Sequence, residues 1–196
     1  MSMELSVAGI EDKHEIGIKI RDLMINAEDL KLNVGCGGKT FDGLINIDLN
    51  SDIADVKADA KALPYPDNSC GLVFNSNLLE HFDRTERFDA IKEWHRVLKP
   101  NGLLITAVPD DETVINIYKD HLHIDECWNS MMLMIFGIAE GPGMTHRWGY
   151  NPRSLWDFIE TNGFKVEILY QGMPVRPTPN MTIIARAIKN GGKSNE

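Results

Sequence analysis

One stretch decides the fold of this chain: residues 30–48 read L-K-L-N-V-G-C-G-G-K-T-F-D-G-L-I-N-I-D. Its first part is apolar at Leu30, Leu32 and Val34, which predicts a short buried parallel strand. Three glycines follow, and they let the backbone turn sharply and let a ligand approach with no Cβ in the way. A second apolar run ends in Asp48, whose carboxylate is placed to accept hydrogen bonds from ribose hydroxyls, as in nucleotide-binding α/β sheets.

Two other interpretations compete for this stretch. Glycines between two core strands also occur in an ordinary turn that binds no ligand. A phosphate-binding P-loop is suggested by Gly38-Lys39-Thr40, which matches the end of G-x-x-x-x-G-K-[ST]. However, the first glycine of that motif would fall at Asn33, and Phe41-Asp42-Gly43 leads into a strand rather than into a helix. We therefore reject the P-loop.

Residues 33–48 resemble the S-adenosylmethionine (SAM) loop of class I SAM-dependent methyltransferases. The family usually has an acid two residues before the first glycine, where this chain has Asn33, a neutral residue that still forms hydrogen bonds. The resemblance implies SAM as the cofactor. It also implies that SAM is bound by Asn33, Gly35, Cys36, Gly37, Asp48 and Leu49.

A second resemblance to the same family covers residues 58–82, which read A-D-A-K-A-L-P-Y-P-D-N-S-C-G-L-V-F-N-S-N-L-L-E-H-F. An acid before a small residue, a Leu-Pro-aromatic turn, a strand and a Leu-Glu-His follow one another as they do in the family. This resemblance implies that Asp59 and Ala60 contact adenine and that Asn75 lies near the methionine part of SAM. A further match, R-V-L-K-P-N-G, resembles the family's R-V-L-K-P-G-G turn, with Asn101 for the first glycine.

Together with this resemblance, the segment pattern predicts an α/β, Rossmann-like three-layer fold. Its seven-stranded, mostly parallel sheet has the order 3-2-1-4-5-7-6 and an antiparallel last strand. The strands are expected at Leu30–Val34, Leu44–Asp48, Asp55–Ala58, Leu72–Asn75, Leu103–Val108, Phe164–Tyr170 and Met181–Ile188. Helices are expected over His14–Asp29, from Asp83 or Thr85 to Leu98, over Asp111–Leu122, and between the cap Asn151 and the closing Gly163.

The first half of the predicted sheet is trimmed. About ten residues or fewer link strand 1 to strand 2 and strand 2 to strand 3, and a helical crossover needs a dozen or more. The helices between these strands are therefore expected to be reduced to turns. We hypothesise that the N-terminal helix covers the sheet face that the missing helices expose.

The composition fits one domain, because 196 residues can enclose a sizeable core. We divide the chain into an N-terminal segment and helix (1–29), a SAM-dependent methyltransferase domain (30–188) and a disordered tail (189–196). The net charge of -9 argues against a nucleic-acid partner. Neither a signal peptide nor a membrane span is visible, and the three scattered cysteines suit a reducing compartment. We expect a cytoplasmic protein, and we leave a homodimer open.

Residues 110–150 follow the family pattern least. Ser130–Ile138 is apolar on all sides and too short to span a membrane, so it is either core or an apolar lid over a substrate, and core is favoured. A dense group of candidate metal ligands lies in the preceding segment at His121, His123, Asp125, Glu126 and Cys127. No second ligand pair stands out elsewhere, so we interpret this group as a solvated loop and predict no metal site.

Methyl transfer needs an acceptor held in line with the methyl group and often a base that removes a proton. His81 follows strand 4 at the carboxyl edge of the sheet, where ligands bind, and a purely structural role at a helix start is equally open. His146 is the second candidate for the catalytic base. Its neighbours Trp148 and Tyr150 are more typical of a core.

The trimmed start also resembles small methyltransferases associated with glycan and cell-surface polysaccharide synthesis, which implies a small-molecule acceptor such as a sugar hydroxyl. A nicotinamide-dependent oxidoreductase is disfavoured, because a G-x-G-x-x-G that opens a full helix is missing. A SAM-binding regulatory or interaction module without catalysis stays open. Exposure of residues 130–138 would favour that module, because a large exposed apolar patch marks an interface.

Overall fold

A seven-stranded sheet is the centre of the computed structural model, which describes residues 22–24, 29–138, 144–171 and 179–189. The strand order is β3-β2-β1-β4-β5-β7-β6. β7 runs antiparallel to both of its neighbours, and the other pairs are parallel. The predicted order and the antiparallel last strand are confirmed. The strands are β1 (Leu30–Val34), β2 (Ile45–Asp48), β3 (Val56–Lys57), β4 (Cys70–Ser76), β5 (Leu98–Pro109), β6 (Phe164–Gln171) and β7 (Asn180–Ala187).

Four numbered helices accompany the sheet: α1 (Glu86–Val97), α2 (Asp111–Tyr118), α3 (Asp125–Phe136) and α4 (Pro152–Thr161). Short 3-10 turns lie at Leu79–His81 and Lys119–His121. The single helix expected over Asp111–Leu122 is therefore split, because its last turn tightens from α to 3-10 geometry. Asn151 caps α4 through a reciprocal bond pair with Ser154, and Gly163 has a positive φ after its end, as predicted.

The trimmed first half is confirmed, since the described links between β1, β2 and β3 contain turns and no helix. Lys39 N donates to the Cys36 carbonyl at 2.8 Å and closes the turn after β1. β5 is longer than predicted and begins at Leu98. Asn101 lies inside it with φ 63°, a left-handed conformation that asparagine tolerates better than most residues.

Each face of the sheet has its own apolar cluster, because successive strand residues point to opposite sides. Val73 and Leu104 belong to the larger cluster, which includes buried residues of α1 and α4. Leu72, Phe74, Leu103 and Ile105 belong to the second cluster. Residues 22–24 are helical, and Met24 is buried in that second cluster. This contact supports the hypothesis that the N-terminal helix covers the face left open by the missing crossover helices.

The expectation that Ser130–Ile138 belongs to the core is wrong. Residues up to Phe136 belong to α3, of which only Met131 is buried. Leu133, Phe136 and Ile138 are 52%, 56% and 40% exposed. α3 packs against α2 rather than against the sheet, so most of its apolar side chains have no core to enter.

Some predictions lie outside the described residues. They concern the N-terminal segment and most of the helix expected over His14–Asp29, at residues 1–21 and 25–28, and the tail from residue 190 onward. Among the helices that the structure describes, none has the length and apolar character needed to cross a membrane.

Candidate active site

A cavity of about 610 Å³ opens at the carboxyl ends of β1, β4 and β5. The glycine loop after β1 forms one wall, and Ser76 and Asn77 at the end of β4 form the next. Asn180 joins them because antiparallel β7 starts beside Pro109, where β5 ends. The opposite wall is mostly apolar and comes from Val114, Leu133, Met134, Ile138 and Met144. The volume lies in the range of small-molecule and cofactor sites.

The glycine loop, residues 35–38, is folded back onto the end of β2. Gly35 N and Cys36 N donate to the Ile47 carbonyl at 2.8 and 3.0 Å. Gly37 N donates to Asp48 Oδ2 at 2.9 Å, and Ser51 Oγ donates to the Gly37 carbonyl at 2.5 Å. A Cβ on Gly35 would lie 2.7 Å from the Leu78 side chain, and its φ of +70° also favours glycine. This position of the loop therefore requires glycine.

Asp48 both holds the loop and keeps capacity for a ligand. Its Oδ1 accepts from Asn50 N and Ser51 N at 2.8 and 2.9 Å, while Oδ2 accepts from Gly37 N. A carboxylate offers about four acceptor positions, and these three bonds leave one of them. Ribose hydroxyls of SAM fit this position, and Gly37 and Gly38 have open space where a side chain would project. The residues present therefore fit the nucleoside of SAM.

Asn33 and Asn75 are predicted to contact SAM, and both are buried below the cavity walls. Asn33 is 2% exposed, and its Nδ2 donates to the Lys39 carbonyl and to Asn46 Oδ1 at 3.0 and 2.9 Å. It thus anchors the far end of the glycine loop. Asn75 Oδ1 accepts from Thr106 Oγ1 at 2.5 Å, and its buried Nδ2 has no hydrogen-bond partner among the described residues. A direct contact of either residue with SAM stays a prediction.

The other predicted cofactor residues continue along the same edge of the sheet. Ala58 N donates to the Asp48 carbonyl at 3.3 Å, which brings the turn after β3 beside the end of β2. Asp59 Oδ1 accepts from Lys61 N at 2.9 Å, and the Ala60 carbonyl accepts from Trp94 Nε1 at 3.0 Å. Leu49 is 58% exposed. Asp59, Ala60 and Leu49 do not line the cavity itself, and neither does Asp48. The contacts of these residues with SAM stay predictions.

Cys36 is the one predicted cofactor residue that carries a thiol. It lines the cavity and is largely buried. Burial, followed by the nearby charge of Asp48, raises the pKa of the thiol above its usual value. The thiol is therefore protonated at neutral pH, and it is unsuited to act as a nucleophile.

The two predicted histidines meet in the cavity. His81 lies on the 3-10 turn after β4, and His146 lies on the segment that follows residue 144. Their ring centroids are 5.0 Å apart, in an edge-on arrangement. Nδ1 of His81 is 3.1 Å from the Thr145 carbonyl, and Nδ1 of His146 is 3.2 Å from the Ile135 carbonyl. A carbonyl only accepts, so both Nδ1 atoms carry the proton.

The environment of these histidines favours their neutral forms. Burial is the main cause that lowers the pKa of each imidazole below its usual value. For His146 the neighbouring His81 lowers the pKa further. Neutral imidazoles with a protonated Nδ1 keep a lone pair on Nε2, and that nitrogen can accept a proton or bind a metal ion.

Backbone bonds hold the histidine segments together. Arg147 N and Trp148 N donate to the Glu80 carbonyl at 2.7 and 3.1 Å. The Arg147 side chain forms ion pairs with Asp83 and Glu86, at the start of α1. Tyr150 is buried in the larger core cluster, as expected, and Trp148 packs against that cluster.

Sequence reasoning missed two polar residues beside the histidines. Asn77 has a φ of 55°, and its Nδ2 donates to Glu80 Oε1 at 3.0 Å. Glu80 is only 1% exposed. The sequence Leu-Glu-His places this acid directly before the candidate base His81, and that adjacency could have identified Glu80 as a candidate site residue. By contrast, the structure does not gather the segment from His121 to Cys127 into a ligand group within the residues it describes.

Comparisons with known proteins agree with this fold. Residues 39–106 match the family described as a methyltransferase domain. The chain is 30% identical over 128 residues to a Rattus norvegicus protein named arginine-hydroxylase NDUFAF5, mitochondrial, a match that covers 54% of this chain and 37% of that protein. It is 29% identical over 108 residues to the ubiquinone/menaquinone biosynthesis C-methyltransferase UbiE of Shewanella sp. (strain W3-18-1), covering 54% of this chain and 40% of that protein.

A crystal structure of a SAM-dependent methyltransferase from Methanosarcina mazei superimposes with a TM-score of 0.65 at 19% sequence identity. The match covers 87% of this chain and 98% of that chain. In contrast, the chain spans only about two fifths of the length of the two sequence relatives.

Proposed function

We propose that this chain is a class I SAM-dependent methyltransferase and that it transfers a methyl group from SAM to a small-molecule acceptor held in the cavity. The match of residues 39–106 to a methyltransferase domain and the fold shared with a SAM-dependent methyltransferase support this proposal. One observation carries the proposal. The same cavity is bordered by the glycine loop on one side and by two imidazoles with lowered pKa values on the other. A cofactor site and a candidate base therefore face the same space.

In this proposal SAM supplies the activated methyl group when it is bound. The Gly37 and Gly38 backbone lets the cofactor approach closely, and Asp48 accepts hydrogen bonds from its ribose. His81 or His146 removes the acceptor proton through Nε2, since each Nδ1 is already held by a carbonyl. The apolar wall excludes water, which leaves the acceptor in place for in-line attack.

The walls of the cavity bear on the class of acceptor. Val114, Leu133, Met134 and Met144 offer an apolar surface, and methionine adapts to irregular shapes. An acceptor with an apolar body and one nucleophilic group fits this wall. A sugar or glycan precursor, the acceptor inferred from the sequence, would need hydrogen bonds from the polar side of the cavity, where Ser76 and Asn77 lie. We therefore place apolar phenols and quinols ahead of nucleotide sugars in an acceptor screen.

The first experiment is calorimetric titration with SAM and, separately, with NAD. We expect SAM alone to bind. Asp48→Ala should weaken SAM binding about tenfold to a hundredfold, because it removes a charged acceptor and releases Gly37 N. Asp42→Ala is the matched control, since Asp42 is an exposed acid between the same two strands and should leave the affinity unchanged. Equal affinities for both variants would overturn the ribose assignment.

A SAM-binding interaction module is a second candidate, and a specific observation favours it. Trp128 and Phe136 of α3 are 46% and 56% exposed. An exposed apolar helix is typical of a surface that contacts a partner. Formation of S-adenosylhomocysteine with any acceptor in the screen would favour the enzyme. SAM binding without turnover on the whole panel would favour the module.

A further inference from the structure

Three side chains at the base of the cavity bring metal-ligating atoms together. A carboxylate oxygen of Glu80 and one imidazole nitrogen each from His81 and His146 all lie within 4.8 Å of one another. Ligand atoms around a tetrahedral zinc ion lie about 3.3 Å apart when each bond is about 2.0 Å long. Movements of about an ångström would therefore close these three groups around one ion.

The surroundings of the two histidines are those of metal ligands. A ligating histidine commonly donates its second ring N–H to a backbone carbonyl, which fixes the tautomer and the ring orientation. His81 donates in this way to the Thr145 carbonyl, and His146 donates to the Ile135 carbonyl. The Nε2 lone pairs are the ones left to bind.

Glu80 adds an oxygen ligand to the two imidazole nitrogens. It is held beside them by the Asn77 side chain, which donates to Oε1 at 3.0 Å. Two imidazoles and one carboxylate are a donor set suited to Zn²⁺ and to other divalent ions such as Fe²⁺. His81 and His146 line the cavity, so the remaining coordination positions face the space for the acceptor.

We propose that Glu80, His81 and His146 form a binding site for one divalent transition-metal ion, with Zn²⁺ as the first ion to test. The site does not depend on the methyltransferase proposal, because it stands on these three side chains alone. An ion held by these residues would lower the pKa of a hydroxyl group that coordinates it. With an ion bound, the two histidines would act as its ligands, and the base role proposed above would apply only to the metal-free protein.

The test uses the full, untagged chain after dialysis against a chelator. Zn²⁺ is titrated by calorimetry, and Co²⁺ is titrated by the visible absorption that low-symmetry coordination produces. We expect one ion per chain with a dissociation constant of about 10 μM or tighter. His81→Ala and His146→Ala should each weaken binding at least about tenfold, since each removes one of three protein ligands. Glu80→Gln should weaken it as well, while the amide oxygen keeps the hydrogen bond from Asn77.

His121→Ala is the control, because His121 is an exposed histidine outside the group. The proposal is overturned if no ion binds at about 100 μM, or if binding survives in His81→Ala and His146→Ala. Circular dichroism of each variant separates loss of a ligand from loss of the fold. SAM titration of the same samples keeps the two proposals apart, because either ligand can bind when the other fails.

Discussion

Asp111 is the first residue of α2, and its carboxylate lies against Gly149, where there is no side chain to separate them. Burial, together with the adjacent charge of Asp110, raises the pKa of this carboxyl to about 6. A folded-state pKa above the unfolded value means that the native protein binds the proton more tightly than the unfolded chain does. Ionisation of Asp111 therefore destabilises the fold, and this effect is complete above about pH 6.

Asp111→Asn should stabilise the protein at pH 7.5 by about 1 to 3 kcal/mol, because the amide is neutral at every pH. The gain should shrink as the pH falls through about 6 and vanish well below about pH 4, where both states of the wild type bind the proton. Urea unfolding at several pH values measures it. Glu112→Gln is the control, because Glu112 is exposed and lies in the same first turn of the helix. It measures the effect on stability of losing a negative charge at the helix N-terminus without the effect of burial. A gain that does not change with pH would contradict the assignment to Asp111.

At the scale of the elements, the ends of α4 could be predicted because their signals are local. Asn151 and Gly163 act within one turn of their own positions, and the structure has the cap and the helix end where the sequence predicts them. The glycine loop is similar, since its glycines follow β1 and Asp48 ends the adjoining parallel strand β2. Local chemistry of this kind can be read without knowing the rest of the molecule.

The cap of α4 yields a prediction at this scale. Ser154 N donates to Asn151 Oδ1 at 2.8 Å, and Asn151 N donates to Ser154 Oγ at 2.9 Å. Asn151→Ala should destabilise the protein by about 1 kcal/mol, because it leaves a helix N–H without its acceptor. Arg153→Ala is the control, since its side chain is 82% exposed and only weakly paired with Asp157. Chemical denaturation of both variants compares them, and equal stabilities would mean that the cap contributes nothing.

The segment between β5 and α4 could not be predicted in the same way. Ser130–Ile138 is apolar on every side, and such a run suits a core helix and a cavity wall equally well. The difference depends on the neighbours, because α3 rests on α2 and Gly137 pairs with Thr145 across a short bridge. The contact of His81 with His146 has the same origin. The sequence identified each histidine, but their contact is a tertiary property.

At the scale of the whole molecule, the trimmed crossovers leave the sheet unevenly covered. α1 and α4 contribute buried residues to the cluster on one face. No numbered helix of the described chain contributes to the other cluster, where Leu72, Phe74 and Ile105 lie. Met24 and Leu23 pack onto this second face from the helical residues 22–24. Residues 22–24 therefore cover part of the face that the short links leave without a helix.

This arrangement predicts that Met24 matters to the whole fold although it lies outside the methyltransferase motifs. Met24→Ala should destabilise the protein by about 2 kcal/mol, because it removes a buried side chain from the second cluster and leaves a cavity beside Leu44 and Phe74. Asp22→Ala is the matched control, since Asp22 is exposed on the same helical turn and should have little effect. Met24→Leu should restore most of the stability, because it nearly conserves the buried volume.

The same variants show whether Met24 contributes only to the stability of the fold or also to SAM binding. The candidate cofactor residues lie at the carboxyl edge of the strands, and Met24 does not line the cavity there. Folded Met24→Ala should therefore bind SAM with the wild-type affinity at low temperature, while its urea midpoint falls. If Met24→Ala were as stable as Asp22→Ala, then burial of Met24 would not stabilise the fold, and the second face would depend on its own strand residues. If SAM affinity fell in step with stability, then the second face would be coupled to the glycine loop through Leu44, which follows that loop and belongs to the same cluster as Met24.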